Sequence, residues 1–311
     1  MTEATANARL SVAYFPGDRP DDALTKGRAF LFVRDVPSAI MPYRTGDNGD
    51  FSVSLSPPDE EVTRWLAHLL DIGEHRARNL EDALSDFIRE VTGRLAYAGE
   101  MYFELLEAAQ EGDSMPQIEL VPLPMGRLFK IGHRYFQVVP AHSRDEVRRR
   151  YASLPTNRIW RLRLPRALGS PRAHRRLLRR LADVSDVVPE FALTPTMGSD
   201  VAGYDFRAFR LATDAEVENL TKRWGSIPSL QRINGTTEYY FFAQTLQFRR
   251  SEALIREHIV SDVNNLLRRL GVQAQVIVSG LPTSSEIEDL MGQLHAGEID
   301  FAQAAARSRV P

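Results

Sequence analysis

Cysteine is absent from the 311-residue sequence, which at once removes disulfides, thiolate nucleophiles, iron–sulfur clusters and cysteine-based zinc fingers. The fold must therefore hold by packing alone, and the absence fits a reducing, cytoplasmic setting. No apolar run approaches the roughly 18 residues that a membrane helix needs. The longest candidates, such as Val276 to Val278, are strand-sized, so no membrane partner is expected. Met1 to Leu10 is polar and carries Glu3 and Arg9, so a secretory signal is not expected either. Neither a Gly-Lys-Ser/Thr loop nor a Gly-x-Gly-x-x-Gly turn occurs, which leaves no cradle for a nucleotide phosphate. The histidines, His68, His75, His133, His142, His174, His258 and His295, never fall in a His-x-x-x-His spacing that would put two metal ligands on one helix face. A Gly-x-Ser-x-Gly elbow is also missing, and Ser170, between Gly169 and Pro171, suits a helix N-cap better than a nucleophile. These absences together lead us to expect a structural or binding component with no catalytic residue, no cofactor and no metal.

What is present is a chain of 43% hydrophobic content, long enough to bury one large core or two ordinary ones. The net charge of −2 hides an uneven distribution. Of the 39 basic residues only Lys26, Lys130 and Lys222 are lysines, and thirteen arginines lie between Arg144 and Arg180 against two acids, Asp145 and Glu146.

Periodicity gives a mixed α+β reading: a helical pair, then a small antiparallel sheet with amphipathic helices, then a helix-rich C-terminal part. Composition divides the chain into an irregular N-terminal arm (1–57), an α+β core carrying the arginine-rich helix (58–190) and a helical region (191–311), with the main boundary expected in the loop from Pro189 to Gly203. Within the arm, Ala29 to Val33 reads as a strand. Asp59, Glu60 and Glu61 supply the negative charge that a helix N-terminus favours, and Val62, Trp65, Leu66 and Leu69 follow at helical spacing. A second helix carries Leu80, Leu84, Phe87, Ile88, Val91 and Leu95 on one stripe and weakens at Gly93 and Gly99; the two are expected to pack together.

Strand-like segments follow at Met101 to Leu106, Ile118 to Leu123, Arg127 to Ile131 and Tyr135 to Val139. Ser143 to Tyr151 reads as a short basic helix, Arg158 to Leu164 as a strand and Pro171 to Val188 as a helix. Beyond it a helix is expected from Thr213 to Trp224 and a turn at Asn234-Gly235. The aromatics Tyr239, Tyr240, Phe241 and Phe242 read as a strand packed on both sides, in preference to a base-stacking platform. The longest helix carries Ile255, Ile259, Val263, Leu266 and Leu270 and stops at Gly271, Gln275 to Val278 is a strand, and a last helical segment opens at Pro282-Thr283 and ends near Arg309.

The arginine run is the feature with functional content. At 100° per residue, Ala173, Leu177, Leu181, Val184 and Val188 fall within about 80° and are expected to face the core, with Arg172, Arg175, Arg176, Arg179 and Arg180 on the other side. Arg148 and Arg149 extend the basic surface. Such a face repels itself unless acids elsewhere in the fold, a neighbouring subunit or a polyanion compensates it. A partner surface and a plain solvated face both remain open. Contact with nucleic acid would be to phosphates and blind to sequence, since no zinc finger, basic zipper or RNA-recognition signature accompanies the charge.

Four segments, taken in order, resemble the portal proteins of tailed phages: Tyr97-Ala-Gly-Glu-Met-Tyr-Phe-Glu-Leu105, Leu120-Val-Pro-Leu-Pro124, Tyr135-Phe-Gln-Val-Val-Pro140 and Arg158-Ile-Trp-Arg-Leu-Arg-Leu-Pro-Arg-Ala-Leu-Gly-Ser-Pro171. They fall within residues 60–188. The resemblance implies a structural subunit of a virion, a closed homo-oligomeric ring built by heterologous contacts around a DNA tunnel, with the DNA backbone and capsid or terminase proteins as further partners. The arginine face would then meet DNA or a neighbouring subunit. The alternative is an accessory factor, of prophage or defence kind, that binds nucleic acid or an acidic protein through the same surface.

Overall fold

The computed structural model describes residues 27–38, 40–42, 51–72, 79–107, 118–123, 128–138, 150–186, 206–225 and 237–308. Over these the chain is a mixed α+β protein with eight helices and eight strands. It forms two compact units, each drawn from separate stretches of chain: residues 41–164 with 258–281, and residues 27–40 with 165–257 and 282–308. The loop 189–203, where a boundary is expected from composition, and the turn at 234–235 lie outside the described residues.

The first unit opens with strand β1 (Ser52–Ser56) and helices α2 (Glu60–Leu70) and α3 (Leu80–Ala98). Helix α1 (Gly27–Ser38) precedes them in sequence and belongs to the second unit. The Asp59 carboxylate accepts from the backbone N–H groups of Glu61 and Val62, which fixes the start of α2. Asn79 does the same for α3 through Asp82 N, and the helix runs through Gly93 to stop at Gly99, whose φ of 78° is the left-handed cap. The two helices pack together as their apolar stripes require. Strand β2 (Glu100–Glu107) leaves directly from that cap and is the centre of the antiparallel sheet β3-β2-β7, where β3 is Ile118–Leu123 and β7 is Ile159–Arg163. Pro122 sits on edge strand β3, where its missing N–H costs no ladder bond.

Cross-strand partners Phe103 and Trp160 stack on one another and on Phe87 of α3, with ring centroids 5.5–5.9 Å apart. All three are buried, each worth roughly 1.5–3 kcal/mol. The segments expected to make one small sheet therefore make two. The second is the meander β4-β5-β6, of Leu128–Ile131, Arg134–Val138 and Tyr151–Pro155. Tyr151 thus starts a strand instead of ending a basic helix, and residues 143–149 of that expected helix lie outside the described residues. The inner face of the meander places Tyr135 and Leu154 in a small cluster with Leu123 and Ile159. The last part of helix α6 (Glu238–Arg269) and strand β8 (Gln275–Ser279) complete the unit. The Asn264 amide donates to Val276 O and accepts from Val276 N, which fixes β8 for its antiparallel pairing with β1.

The second unit is helical: α1 (Gly27–Ser38), α4 (Pro171–Asp186), α5 (Phe206–Thr221), the first part of α6, α7 (Ser284–Ala296) and α8 (Phe301–Arg307). Here the structure corrects three expectations. Ala29 to Val33 is helical, because Ala29, Phe32 and Val36 recur at helical spacing on the buried side while Phe30 is exposed. Together with β1 it also gives regular structure to part of the segment expected to be an irregular arm. The aromatic run 239–242 is the first turn of α6: Thr237 Oγ1 accepts from Tyr240 N, and only Phe242 of the four is buried. The final helical segment is two helices, each opened by a capping box, from Thr283 with Glu286 and from Asp300 with Gln303.

Helix α5 ends against α6 at Gly225, whose φ is 84° and where an added Cβ would lie 2.3 Å from Phe248 N. Only glycine fits there. Ser251 Oγ and Gln247 Nε2 of α6 donate to the carbonyls of Trp224 and Arg223, satisfying that close approach.

Candidate functional site

Helix α4 carries the arginines that stand out in the sequence. Ser170 Oγ accepts from Ala173 N and Pro171 fills the first helical position, so the serine caps. The buried side chains are His174, Leu178, Leu181 and Ala182, whereas Leu177 and Val184 are half-buried and Ala173 is exposed. The core-facing stripe is thus rotated by about a quarter turn from the Ala173–Leu177–Val184 stripe that the apolar residues alone imply. Val188 lies outside the described residues.

His174 is the physical reason. Its ring is buried against Phe32 of α1 and Trp224, with centroids 6.1 and 5.6 Å away, and Phe32 meets Trp224 edge-on at 5.1 Å. An imidazole packed against two aromatic groups that also touch each other sets the helix's rotation, and counting it as polar hides that.

On the opposite side Arg172, Arg175, Arg176, Arg179 and Arg180 are exposed over an arc of roughly 140°. Arg180 pairs with Glu216 of α5 at 2.5 Å, and Arg175 Nε donates to Pro171 O at 3.4 Å. Among the described residues no carboxylate lies within ion-pair distance of Arg172, Arg176 or Arg179. Asp183 falls within the same arc one turn on, exposed and likewise without an ion pair. The structure thus brings the five arginines to one solvent-facing surface, of which the described carboxylates compensate only part. Arg148 and Arg149 lie outside the described residues.

Sequence reasoning missed Glu216, which is 36 positions from its partner and carries no local signal. It also missed a buried carboxyl on α6. Glu252 is 2% exposed, and neither of its oxygens has a hydrogen-bond partner among the described residues. Its closest cation is Arg249 at 3.7 Å. Burial pushes its pKa up to about 8 against the opposing pull of Arg249 and Arg256. Arg256, itself buried, donates to the carbonyls of Ile40 and Pro282. Among the described residues no group of three potential ligands is placed to hold a metal, and no helix is long and apolar enough to cross a membrane.

No family model and no curated protein matches the chain. Among solved structures it is similar to a chain in the neck of a native gene transfer agent (GTA) particle computed with C12 symmetry, at 14% identity and a TM-score of 0.53, covering 99% of this chain and 98% of that one. A chain in the neck of the empty GTA particle computed with C6 symmetry matches at 13% identity and a TM-score of 0.51, over 98% of this chain and 99% of that one. At these identities the likeness is one of fold, and it runs from one end of the chain to the other.

Proposed function

We propose that the protein is a structural, non-enzymatic subunit of a phage-like particle, portal-like in assembling as a closed ring, with the exposed arginine face of α4 directed at DNA phosphates. The observation that carries this reading is the near end-to-end likeness of fold to chains from particle necks of cyclic symmetry. Cyclic repetition would turn one subunit's arginine face into a continuous band of guanidinium groups. Such a band is stable only against a matching polyanion or a neighbour's acids. A DNA backbone supplies that charge without any base-reading motif, in keeping with the absence of one from the sequence. Capsid and terminase proteins are the further partners that a portal-like ring would meet.

Native mass spectrometry of the purified chain is the first test. A closed ring of many identical copies is the expected result, and a monomer or dimer at every concentration overturns the ring. The DNA assignment is tested by the double variant Arg172→Glu/Arg179→Glu, whose positions share one line along the helix surface. Duplex affinity is expected to fall for any sequence, and the salt slope to shrink by about two units, roughly one per lost phosphate contact, with thermal stability unchanged. If native mass drops while DNA binding persists, the face is a subunit interface. If neither changes, it is solvated only.

A further inference from the structure

The β4-β5-β6 meander has a buried inner face and an open outer one. Tyr135, Gln137, Ala152 and Leu154 point inward and are buried. Alternation places Phe129, Ile131, Phe136 and Tyr151 on the other side, where a soluble sheet normally carries polar side chains. Phe129, Ile131 and Tyr151 are 38%, 62% and 43% exposed. The rings are mutually ordered: Phe129 stacks on its cross-strand partner Phe136 at 5.7 Å and meets Tyr151 edge-on at 5.8 Å. The Arg150 guanidinium lies 5.6 Å from the Tyr151 ring centroid, and Arg134 pairs with Ile131 across the strands. Arg134 and Arg150 border this face, Lys130 pairs with Tyr135 on the other one, and segments 128–138 and 150–155 contain not one Asp or Glu.

We propose that this outer face is a base-stacking platform for single-stranded nucleic acid. Exposed rings on one face of a short antiparallel sheet offer π-surfaces to unpaired bases of any identity, and the flanking cations meet the phosphates between them. The charge decides the occupant: a face with cations at its margin and no acid among its described residues is complementary to a polyanion. A duplex hides its base faces, so this platform separates single strands from duplex, unlike a phosphate-reading arginine helix. The site is independent of the ring reading.

Fluorescence anisotropy of the full chain with labelled oligo(dT) of about 20 nucleotides and with a duplex of equal length, in roughly 50 mM salt, tests it. Phe129→Ala/Tyr151→Ala is expected to lose at least tenfold in oligo(dT) affinity with duplex affinity unchanged, and Phe129→Tyr/Tyr151→Phe, which keeps both rings, to retain it. Photocrosslinking of a 5-iodouracil oligonucleotide to the unaltered chain guards against a folding defect, and crosslinks are expected at Phe129, Phe136 or Tyr151. The proposal is overturned if the unaltered chain ignores oligo(dT), if crosslinks map elsewhere, or if the alanine pair binds as the parent does. It is also overturned if the alanine pair lowers native mass without changing oligo(dT) affinity, since a second copy of the chain then covers the face. Failure of the ring reading would show separately, as a small native mass with oligo(dT) binding intact.

Discussion

Leu178→Asp is expected to cost on the order of 4 kcal/mol, a large share of the stability of an ordinary domain, while Arg176→Glu stays within about 0.5 kcal/mol of the parent. Leu178 is fully buried on α4, on the side where His174 meets Phe32 and Trp224. A carboxylate there enters a site filled by apolar and aromatic side chains and must either desolvate or pull the helix away from its neighbours. Arg176 lies on the exposed arc without an ion pair, so reversing its charge removes no packing. Leu177→Asp is the informative third variant. Half-buried Leu177 should lose clearly less than Leu178, whereas the stripe drawn from apolar residues alone ranks Leu177 as core. Urea titrations of the three proteins decide it, and a Leu177 loss equal to or greater than that at Leu178 would show the helix turned the other way.

That rotation illustrates what the sequence could and could not disclose. Elements with both a stripe and a terminal signal were readable: α2 from Asp59 and its acids, α3 up to Gly99, and α7 from Thr283. Each signal is local chemistry acting on its own backbone. A short run of adjacent apolar or aromatic residues carries no spacing information and favours a strand by composition, yet 29–33 and 239–242 are helical. Tertiary burial on one side, of Phe32 and Val36 in the first and Phe242 in the second, outweighed the β preference of the run. The division of the strands into two sheets was equally hidden, since pairing partners such as Phe103 and Trp160 are far apart in sequence.

The candidate site divides in the same way. Five closely spaced arginines were bound to be exposed somewhere, because guanidinium groups are rarely buried without partners. Which way the helix turned, and that Glu216 would hold Arg180, depended on α1 and α5. The aromatic face of the meander was unreadable for a related reason. Alternation alone marks Phe129 and Tyr135 as members of opposite faces, but it does not say which face another layer covers.

The second large effect lies on α6 and is a pH dependence. With a pKa raised to about 8 in the folded protein against an ordinary 4.5, Glu252 binds its proton more tightly folded than unfolded. The contribution is therefore complete below pH 4.5 and is lost as pH rises through 8, with a slope approaching about 1.4 kcal/mol per unit across the window. The cause is the burial of a carboxyl whose nearest cation, Arg249, stays at 3.7 Å and whose other basic neighbour, Arg256, is engaged by the carbonyls of Ile40 and Pro282. Glu257 on the same helix is itself an acid, bonded to Ser284 and shared with Arg256, and brings no neutralising charge. Glu252→Gln keeps the shape of the protonated acid and cannot ionise. The variant is expected to lie within about 1 kcal/mol of the parent at pH 5 and to exceed it by several kcal/mol at pH 9, removing the parent's decline between. Other titrating groups are common to both proteins and cancel in the difference. Parallel stability–pH curves for parent and variant, or a variant weaker at pH 9 than at pH 5 by the same margin as the parent, would mean that Glu252 reaches solvent or a closer cation.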